Sequence, residues 1–287
     1  MWILYAFCSA LFAGLTAVLA KIGIRDVNSH LATALRTVVV LLFAWLLVFL
    51  TGAQTGLGTL APSTWWFLIS SGLATGGSWL CYFRALQLGS VNQVAPIDKS
   101  STVLTMALAF LLLGEPLSLH MILGMAGILA GTLLMLQRQS GSAASAGWRW
   151  LPWALASAVF ASLTAILGKI GMQGVDSNLG TAIRTAVVLA LSWGIVLVRG
   201  VHRQLPAITG RSWLFLVLSG LATGGSWLFY YRALQEGLAS VVVPIDKLSI
   251  LITILFSRLV LGERLSRRGL AGLILLTAGT LLLLFHF

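Results

Sequence analysis

Charged residues are scarce in this sequence. They make up 9% of the 287 residues, against roughly 25% in an average soluble domain, and the mean hydropathy is +0.99. A chain with so little polar surface cannot cover a water-exposed fold, which excludes a soluble globular enzyme, a disordered chain and a nucleic-acid binder. The few charges are unbalanced, with 18 Lys and Arg against 7 Asp and Glu. In so apolar a chain, we interpret the net charge of +11 as the asymmetry that orients a membrane protein.

Cysteine and histidine are also rare, with 2 and 4 residues. Cys8 and Cys81 fall in separate apolar runs, which favours small buried side chains over a disulfide or a metal ligand. The histidines are scattered, and no nucleophile–base pair or phosphate-binding loop stands out. We therefore expect no metal, no cofactor and no enzymatic activity.

Long apolar stretches dominate what is present. A helix that crosses a bilayer needs about 20 mostly apolar residues. Ten stretches qualify, at residues 2–23, 30–50, 64–83, 92–113, 118–137, 150–171, 178–198, 212–231, 239–261 and 268–286. The N-terminus has no basic n-region or cleavage site, so we expect it to begin the first span rather than a signal peptide. The gaps are too short for a folded extramembrane domain, and the sequence predicts an all-α integral membrane protein.

The two halves of the chain are copies of each other. Shifting the sequence by 148 residues aligns 1–139 with 149–287 without a gap, and about 66 of the pairs are identical. Polar residues match as well as apolar ones: residues 71–80 return unchanged as 219–228, and Pro-Ile-Asp-Lys at 96–99 returns at 244–247. We therefore divide the chain into a first repeat (1–139), a linker (140–148) and a second repeat (149–287).

Each repeat holds five spans, and this odd number predicts that the second repeat is inverted relative to the first. The loop arginines agree with inversion. If the N-terminus is outside, Arg232 alone lies in an external loop, and the cytoplasmic loops carry Arg25, Arg84, Arg138, Arg149, Arg199, Arg203, Arg211, Arg264, Arg267 and Arg268. The positive-inside rule then predicts a multi-pass protein of the bacterial inner membrane with both termini on the non-cytoplasmic side.

Several short motifs recur at equivalent places in both repeats. They are Arg-Ala-Leu at 84–86, a proline at 96, Leu-Gly-Glu with Leu-Ser over 113–118, and Ala-Gly-Thr-Leu-Leu at 130–134. This pattern resembles tandem EamA domains of the drug/metabolite transporter superfamily. The resemblance implies ten helices in two inverted repeats and secondary transport of a small metabolite. Familiar members place both termini in the cytoplasm, whereas the loop charges here predict the opposite.

Charged residues inside the spans are costly and mark a pathway or an ion pair. Counting depth along each span predicts two polar layers, one toward each membrane face. The first layer comprises Lys21, Arg36, Arg84, Asp98 and Lys99, and the second comprises Lys169, Arg184, Arg232, Asp246 and Lys247. Two interpretations compete with simple helix pairing and snorkelling. Either the aspartates form gates with nearby cations, or the surplus positive charge attracts an anionic group of the substrate.

Proline and aromatic residues add further candidates. Pro96 and Pro244 lie one or two turns inside spans 4 and 9, and interrupted helices in transporters lie at substrate sites. A harmless first-turn proline is the alternative. Two aromatic pairs follow the Gly-rich blocks of spans 3 and 8, either lining a central cavity or forming an interfacial belt. These pairs are Trp79 with Tyr82, and Trp227 with Tyr230.

The leading hypothesis is a secondary transporter of a small polar metabolite, amino-acid-like or otherwise anionic or zwitterionic, that exports or exchanges it by alternating access. A multidrug or cationic-metabolite exporter would need acidic groups at the cavity centre, where Asp98 and Asp246 are outnumbered. A flippase for a lipid-linked substrate stays open as well. The expected partners are the substrate and the lipid bilayer. The sequence leaves open whether a proton or a counter-substrate is coupled, and whether the protein is a monomer or a homodimer.

Overall fold

The computed structural model describes residues 1–25, 27–135, 148–262 and 265–283, and these form helices joined by short turns. The helices are α1 (Trp2–Gly23), α2 (Ser29–Thr51), α3 (Pro62–Leu88), α4 (Val91–Leu113), α5 (Leu119–Met135), α6 (Leu151–Gly171), α7 (Ser177–Val198), α8 (Gly210–Glu236), α9 (Ala239–Lys247), α10 (Ser249–Leu261) and α11 (Arg267–Leu282). Two 3-10 turns, Ala53–Thr59 and Val201–Ala207, follow α2 and α7. Each apolar stretch of the sequence corresponds to one of these helices, with α9 and α10 together forming the ninth.

Within the part of the chain that the structure describes, seven helical segments are long and apolar enough to cross a membrane, and α5 is a shorter apolar helix. The third and eighth stretches extend further than the sequence predicted, because α3 continues to Leu88 and α8 to Glu236. Arg84 and Arg232 therefore lie within the last helical turns and not at their ends.

Equivalent residues begin and end equivalent helices. The Asn28 side chain accepts a hydrogen bond from the backbone N–H of His30 at the start of α2, and Asp176 accepts one from Asn178 at the start of α7. At the other end, Gly52 and Gly200 adopt left-handed backbone conformations. Local chain geometry is thus encoded twice in the sequence.

Helix pairs cross between the two halves of the chain. The closest pairings are α1 with α8, α3 with α6, α5 with α11 and α2 with α7. Glycines permit the close approach: a Cβ at Gly72 would lie 2.9 Å from the Arg184 carbonyl oxygen, and one at Gly220 would lie 3.0 Å from that of Arg36. The small-residue faces of α3 and α8 therefore receive the backbones of α7 and α2, as expected for membrane helices.

Proline positions do not by themselves decide where a helix is interrupted. Pro96 lies inside an unbroken α4, so the predicted helix break at Pro96 is wrong. The prolyl ring removes one hydrogen bond near the helix start, and the following turns continue the ladder. In the second repeat a break does occur, at Leu248, one turn after Pro244.

The distribution of polarity is that of a protein surrounded by lipid. The outer surface carries exposed apolar side chains, including Leu50 (72%), Leu111 (71%) and Val198 (89%). The interior holds many serines and threonines and two fully buried arginines, Arg36 and Arg184. Lipid accepts the apolar exterior, while many of the buried hydroxyls donate to carbonyl oxygens one turn earlier in the same helix.

Candidate functional site

A central cavity of about 170 Å³ lies between helices of both halves. Its lining is two-fold repetitive, since nine residues of the first half recur together with their counterparts 148 positions later. These pairs are Ala13/Ala161, Thr16/Thr164, Thr75/Thr223, Ser78/Ser226, Trp79/Trp227, Tyr82/Tyr230, Phe83/Tyr231, Asp98/Asp246 and Lys99/Lys247. Ala17 and Arg36 complete the wall.

The aspartate and lysine pairs of the two predicted layers thus share one cavity instead of forming two separate sites. Asp98 and Lys99 are consecutive on α4, and their side chains form an ion pair, with Oδ2 and Nζ 3.8 Å apart. This distance confirms the expectation that Asp98 lies within ion-pair reach of a cation. Both side chains keep a small exposed fraction, 14% and 12%.

Asp246 has a different environment from Asp98. The Ser9 hydroxyl donates to its Oδ1 at 2.5 Å, just as the Ser157 hydroxyl donates to Asp98 Oδ1 at 3.1 Å. Among the described residues, no Lys or Arg nitrogen lies within 4.0 Å of Asp246. Asp246 therefore forms no ion pair with Lys169, Arg184 or Lys247, the cations of its predicted layer. A serine on the opposite half of the chain holds each aspartate.

Arg36 enters the cavity wall from α2. Its side chain is fully buried, and Nη2 donates to the Thr223 hydroxyl at 2.8 Å. The guanidinium carbon lies 4.4 Å from the ring centre of Phe83 and 5.5 Å from that of Trp79. Nε and Nη1 have no hydrogen-bond partner among the described residues.

Arg184, the counterpart of Arg36, donates two side-chain hydrogen bonds where Arg36 donates one. Nε donates to the Ser71 hydroxyl at 2.9 Å and Nη2 to the Thr75 hydroxyl at 2.8 Å. Its guanidinium carbon lies 4.2 Å from the ring centre of Tyr231. Arg184 stands behind the cavity wall. The structure thus breaks the two-fold relation at these two arginines.

Aromatic side chains from both halves of the chain line the cavity. Trp79 and Trp227 meet across the two halves, with ring centroids 4.8 Å apart and planes inclined by 43°. Both line the cavity together with Tyr82 and Tyr230. This placement supports the cavity alternative for the four residues over the interfacial belt.

Hydroxyl contacts that the sequence did not single out connect the helices around the cavity. Ser9 and Ser226 lie 3.1 Å apart, and Thr16 and Thr223 lie 3.3 Å apart, both between α1 and α8. The α3–α6 interface carries the equivalent pairs, Ser78 with Ser157 and Thr75 with Thr164, each at 3.3 Å. All of these hydroxyls are retained in both repeats, and this retention is the signal that could have identified them.

Four sequence candidates lie away from the cavity. Lys21 donates to the carbonyl oxygens of Leu86 and Gly89, and Lys169 donates to that of Gly237 at 2.8 Å. Both lysines therefore bind the ends of neighbouring helices. Arg84 and Arg232 contact side chains of their own helices, at Gln87 and Glu236.

Glu115, which belongs to the repeated motif at 113–118, forms a contact between the two halves of the chain. It is 6% exposed. Its Oε1 accepts from the N–H of Ala239 at 3.0 Å, and Oε2 accepts from that of Ser240 at 2.9 Å. Lys169 Nζ lies 3.5 Å from Oε1. The carboxylate thus caps the N-terminus of α9 from the opposite half of the chain. Its counterpart Glu263 lies outside the described residues.

The described residues contain no group of three or more His, Cys, Asp or Glu side chains that could hold a metal ion. The cavity combines carboxylates, ammonium groups and a guanidinium with aromatic side chains. This arrangement can bind a small polar molecule within the membrane.

Comparison with known proteins agrees with this geometry. The profile described as "EamA-like transporter family" matches residues 1–137 and again 148–285. The chain belongs to the EamA-like transporter family. An "Uncharacterized transporter in cobO 3'region" from Sinorhizobium sp is 48% identical over 134 residues, which are 47% of this chain and 95% of that protein. That relative therefore has the length of one repeat. A protein of known crystal structure shares the fold, with a TM-score of 0.76 at 19% identity over 98% of this chain and 95% of its own.

Proposed function

We propose that this family member is a secondary active transporter that binds a small zwitterionic metabolite of amino-acid type in the central cavity. The observation that carries the proposal is the cavity lining. It combines two Asp–Lys sequences, one from each half of the chain, with two tryptophans. Ionisable groups in a membrane interior mark the path of a polar solute. The protein moves this solute by alternating access, as an exporter or an exchanger.

Ten spans in two inverted five-helix repeats provide the framework for alternating access. Two contacts support inversion. Lys21, near the end of α1, donates to the Gly89 carbonyl oxygen at 3.1 Å, and a Cβ at Gly89 would lie 2.9 Å from Trp150 at the start of α6. Helix α6 therefore begins at the end of the molecule where α1 ends. Two repeats of one sequence can exchange conformations and open the same site to either side.

Charge of both signs in one cavity favours a zwitterion. The sequence argument against a cationic substrate was that nearby cations outnumber Asp98 and Asp246, and both aspartates line the cavity. Lys99, Lys247 and Arg36 still outnumber them. The surplus positive charge would repel a purely cationic solute. A zwitterion offers a carboxylate to the cationic side chains and an ammonium group to the aspartates. The cationic-metabolite exporter stands as the second candidate because the tryptophans also suit a cation.

The cavity volume limits the solute to a small metabolite. A dry cavity of about 150 Å³ accommodates a benzene-sized molecule, and the cavity here measures about 170 Å³. A lipid-linked sugar would need a larger opening between helices.

Contacts at the two ends of the cavity serve as gates. At the end where α1 begins, Glu115 and Lys169 connect the α4–α5 turn, α6 and the start of α9. At the opposite end, Lys21 connects α1 to the α3–α4 turn. Alternating access requires each set to break in turn.

The proposed location is the bacterial inner membrane with both termini outside the cytoplasm. Reporter domains that are active on one side of the membrane, fused after Phe287, test this orientation. Activity of a periplasmic reporter supports it, and activity of a cytoplasmic reporter reverses the sides of the two gates.

Counterflow in proteoliposomes tests the function itself. Purified protein is loaded with one unlabelled solute inside and supplied with labelled amino acids, carboxylates, phosphorylated metabolites or quaternary amines outside. We expect labelled amino acids to exchange, with amides and alcohols failing to compete. The empty carrier holds uncompensated positive charge, so exchange should be faster than net transport. Competition by quaternary amines alone would instead favour the cationic-metabolite exporter.

A further inference from the structure

We propose that Arg36 binds the carboxylate of the transported solute and that Arg184 does not in the conformation described here. The assignment rests on the proposed function, because it names the protein group that recognises one end of the zwitterion. It follows from the unequal environments of two arginines that the repeat makes equivalent in sequence.

Arg36 has unused hydrogen-bond donors that a ligand could occupy. The side chain is fully buried and lines the cavity, yet only Nη2 has a protein partner, the Thr223 hydroxyl. Nε and Nη1 have none among the described residues. A guanidinium presents five N–H donors in a planar fork that matches a carboxylate. No described carboxylate lies within 4.0 Å of it.

The surroundings of Arg36 hold the fork in place. Phe83 stacks at 4.4 Å from the guanidinium carbon, and Thr223 fixes one terminal nitrogen at 2.8 Å. Thr223 is positioned in turn by donating to the carbonyl oxygen of Ser219 at 2.7 Å. A pre-oriented guanidinium loses little side-chain entropy when the carboxylate arrives.

Arg184 serves as the internal comparison. Two hydroxyls, Ser71 and Thr75, bind its Nε and Nη2, and the side chain stands behind the cavity wall. Its Nη1, like that of Arg36, has no partner among the described residues, so Arg184 has one more hydrogen bond than Arg36, and both of its bonds connect α7 to α3. Arg36 has an unpartnered Nε in addition and lines the cavity, which leaves it available to a ligand.

Thermal unfolding of the purified full-length protein separates these roles without knowledge of the solute. We expect R36M, without ligand, to unfold at the same temperature as the wild type or higher, because it removes a poorly paired buried charge. We expect R184M to unfold at a lower temperature, because it removes the two hydrogen bonds that Arg184 donates to the Ser71 and Thr75 hydroxyls of α3. An equal decrease in unfolding temperature in R36M and R184M would overturn the assignment.

The same assay with a fixed set of probes identifies the group recognised. The probes are the twenty common amino acids, each with its methyl ester and its decarboxylated amine. We expect one or more amino acids to raise the unfolding temperature of the wild type, the matching ester and amine to fail, and R36M to lose the response. R36K should retain part of it. If no amino acid stabilises the wild type more than R36M, the assignment fails.

Counterflow distinguishes this assignment from the transport proposal. We expect the KM for the stabilising amino acid to rise about ten- to hundredfold in R36M, as for the loss of a charge-assisted hydrogen-bond pair. An unchanged KM would overturn the role of Arg36 and leave transport intact. Stabilisation that depends on Arg36, without exchange by the wild type, would support the role and contradict transport.

Discussion

Replacing Glu115 by glutamine should open the cavity toward the end where α1 begins. The carboxylate accepts two backbone hydrogen bonds at 3.0 and 2.9 Å from the start of α9, and Lys169 lies 3.5 Å away. Glutamine retains one acceptor, places a donor against the second N–H and removes the attraction to Lys169. A hydrogen bond to a charged group contributes about 1.5–3 kcal/mol. E115Q should therefore destabilise the state that is closed at this end by about 1.5–3 kcal/mol relative to the open state.

This loss predicts a large change in accessibility. About 1.4 kcal/mol corresponds to a tenfold change in a population ratio, so E115Q should raise the open fraction at this end about ten- to hundredfold. A reporter cysteine in place of Ala161, which lines the cavity, measures the change once Cys8 and Cys81 are replaced by serine. The measured quantity is the labelling rate by a membrane-impermeant thiol reagent added from either side.

A matched control is available on the same surface. Glu236 pairs with Arg232 at 2.7 Å, but both side chains are partly exposed, at 31% and 51%. Exposed pairs of this kind contribute about 0–1 kcal/mol, so E236Q should leave the labelling rate nearly unchanged. The variant K169M should act in the same direction as E115Q. Equal labelling of wild type and E115Q from that side would refute the role of Glu115 as a gate.

Three further predictions concern packing, the cavity charge and topology. G72V should lower the unfolding temperature clearly, because its side chain would meet the Arg184 carbonyl oxygen at 2.9 Å, whereas G194A, with nothing within 4 Å, should not. D98N should lower the counterflow rate, because it leaves Lys99 without its carboxylate at 3.8 Å; an unchanged rate would show that the aspartate is not needed. A C-terminal periplasmic reporter should be active, and an active cytoplasmic reporter would contradict the orientation inferred from the loop arginines.

The packing prediction has its own failure criterion. If G72V and G194A unfold at the same temperature, α3 and α7 do not need the close approach that the glycine permits. G72V could have a lower unfolding temperature and also be stabilised less by added amino acid. That result would connect the α3–α7 interface to Arg184 and its two hydroxyl partners.

Helix positions were largely predictable because each depends on local chain properties. Apolar length marked the helices, and Gly52, Asn28 and Asp176 mark their ends with side-chain or backbone chemistry that acts within a few residues. The interruption in the ninth stretch was harder to predict from the sequence. Pro96 and Pro244 occupy the same helical position, yet only the second half is interrupted, at Leu248.

The helix on which each charged residue lies was predictable, but the direction of its side chain around the helix was not. The two predicted charge layers treated Lys21, Arg36 and Asp98 as equivalent because they share a depth. The structure separates them: Lys21 binds the end of α3, while Arg36 and Asp98 face the cavity. Which side of a helix faces a neighbour depends on contacts with residues far away in the sequence, and a mixed apolar helix gives little periodic signal.

The amino-acid sequence by itself determined a membrane-embedded helical chain, its duplication and its family, because apolar length, repeated motifs and charge bias are properties of the chain alone. Only the tertiary structure decided that Asp98 and Asp246 share one cavity, that Glu115 caps a helix of the other half, and that Arg36 and Arg184 differ. Each of these facts is a contact between residues more than one hundred positions apart, or between two copies of one motif. The repeated residues alone do not distinguish the two copies, and packing does, because each copy meets different neighbours.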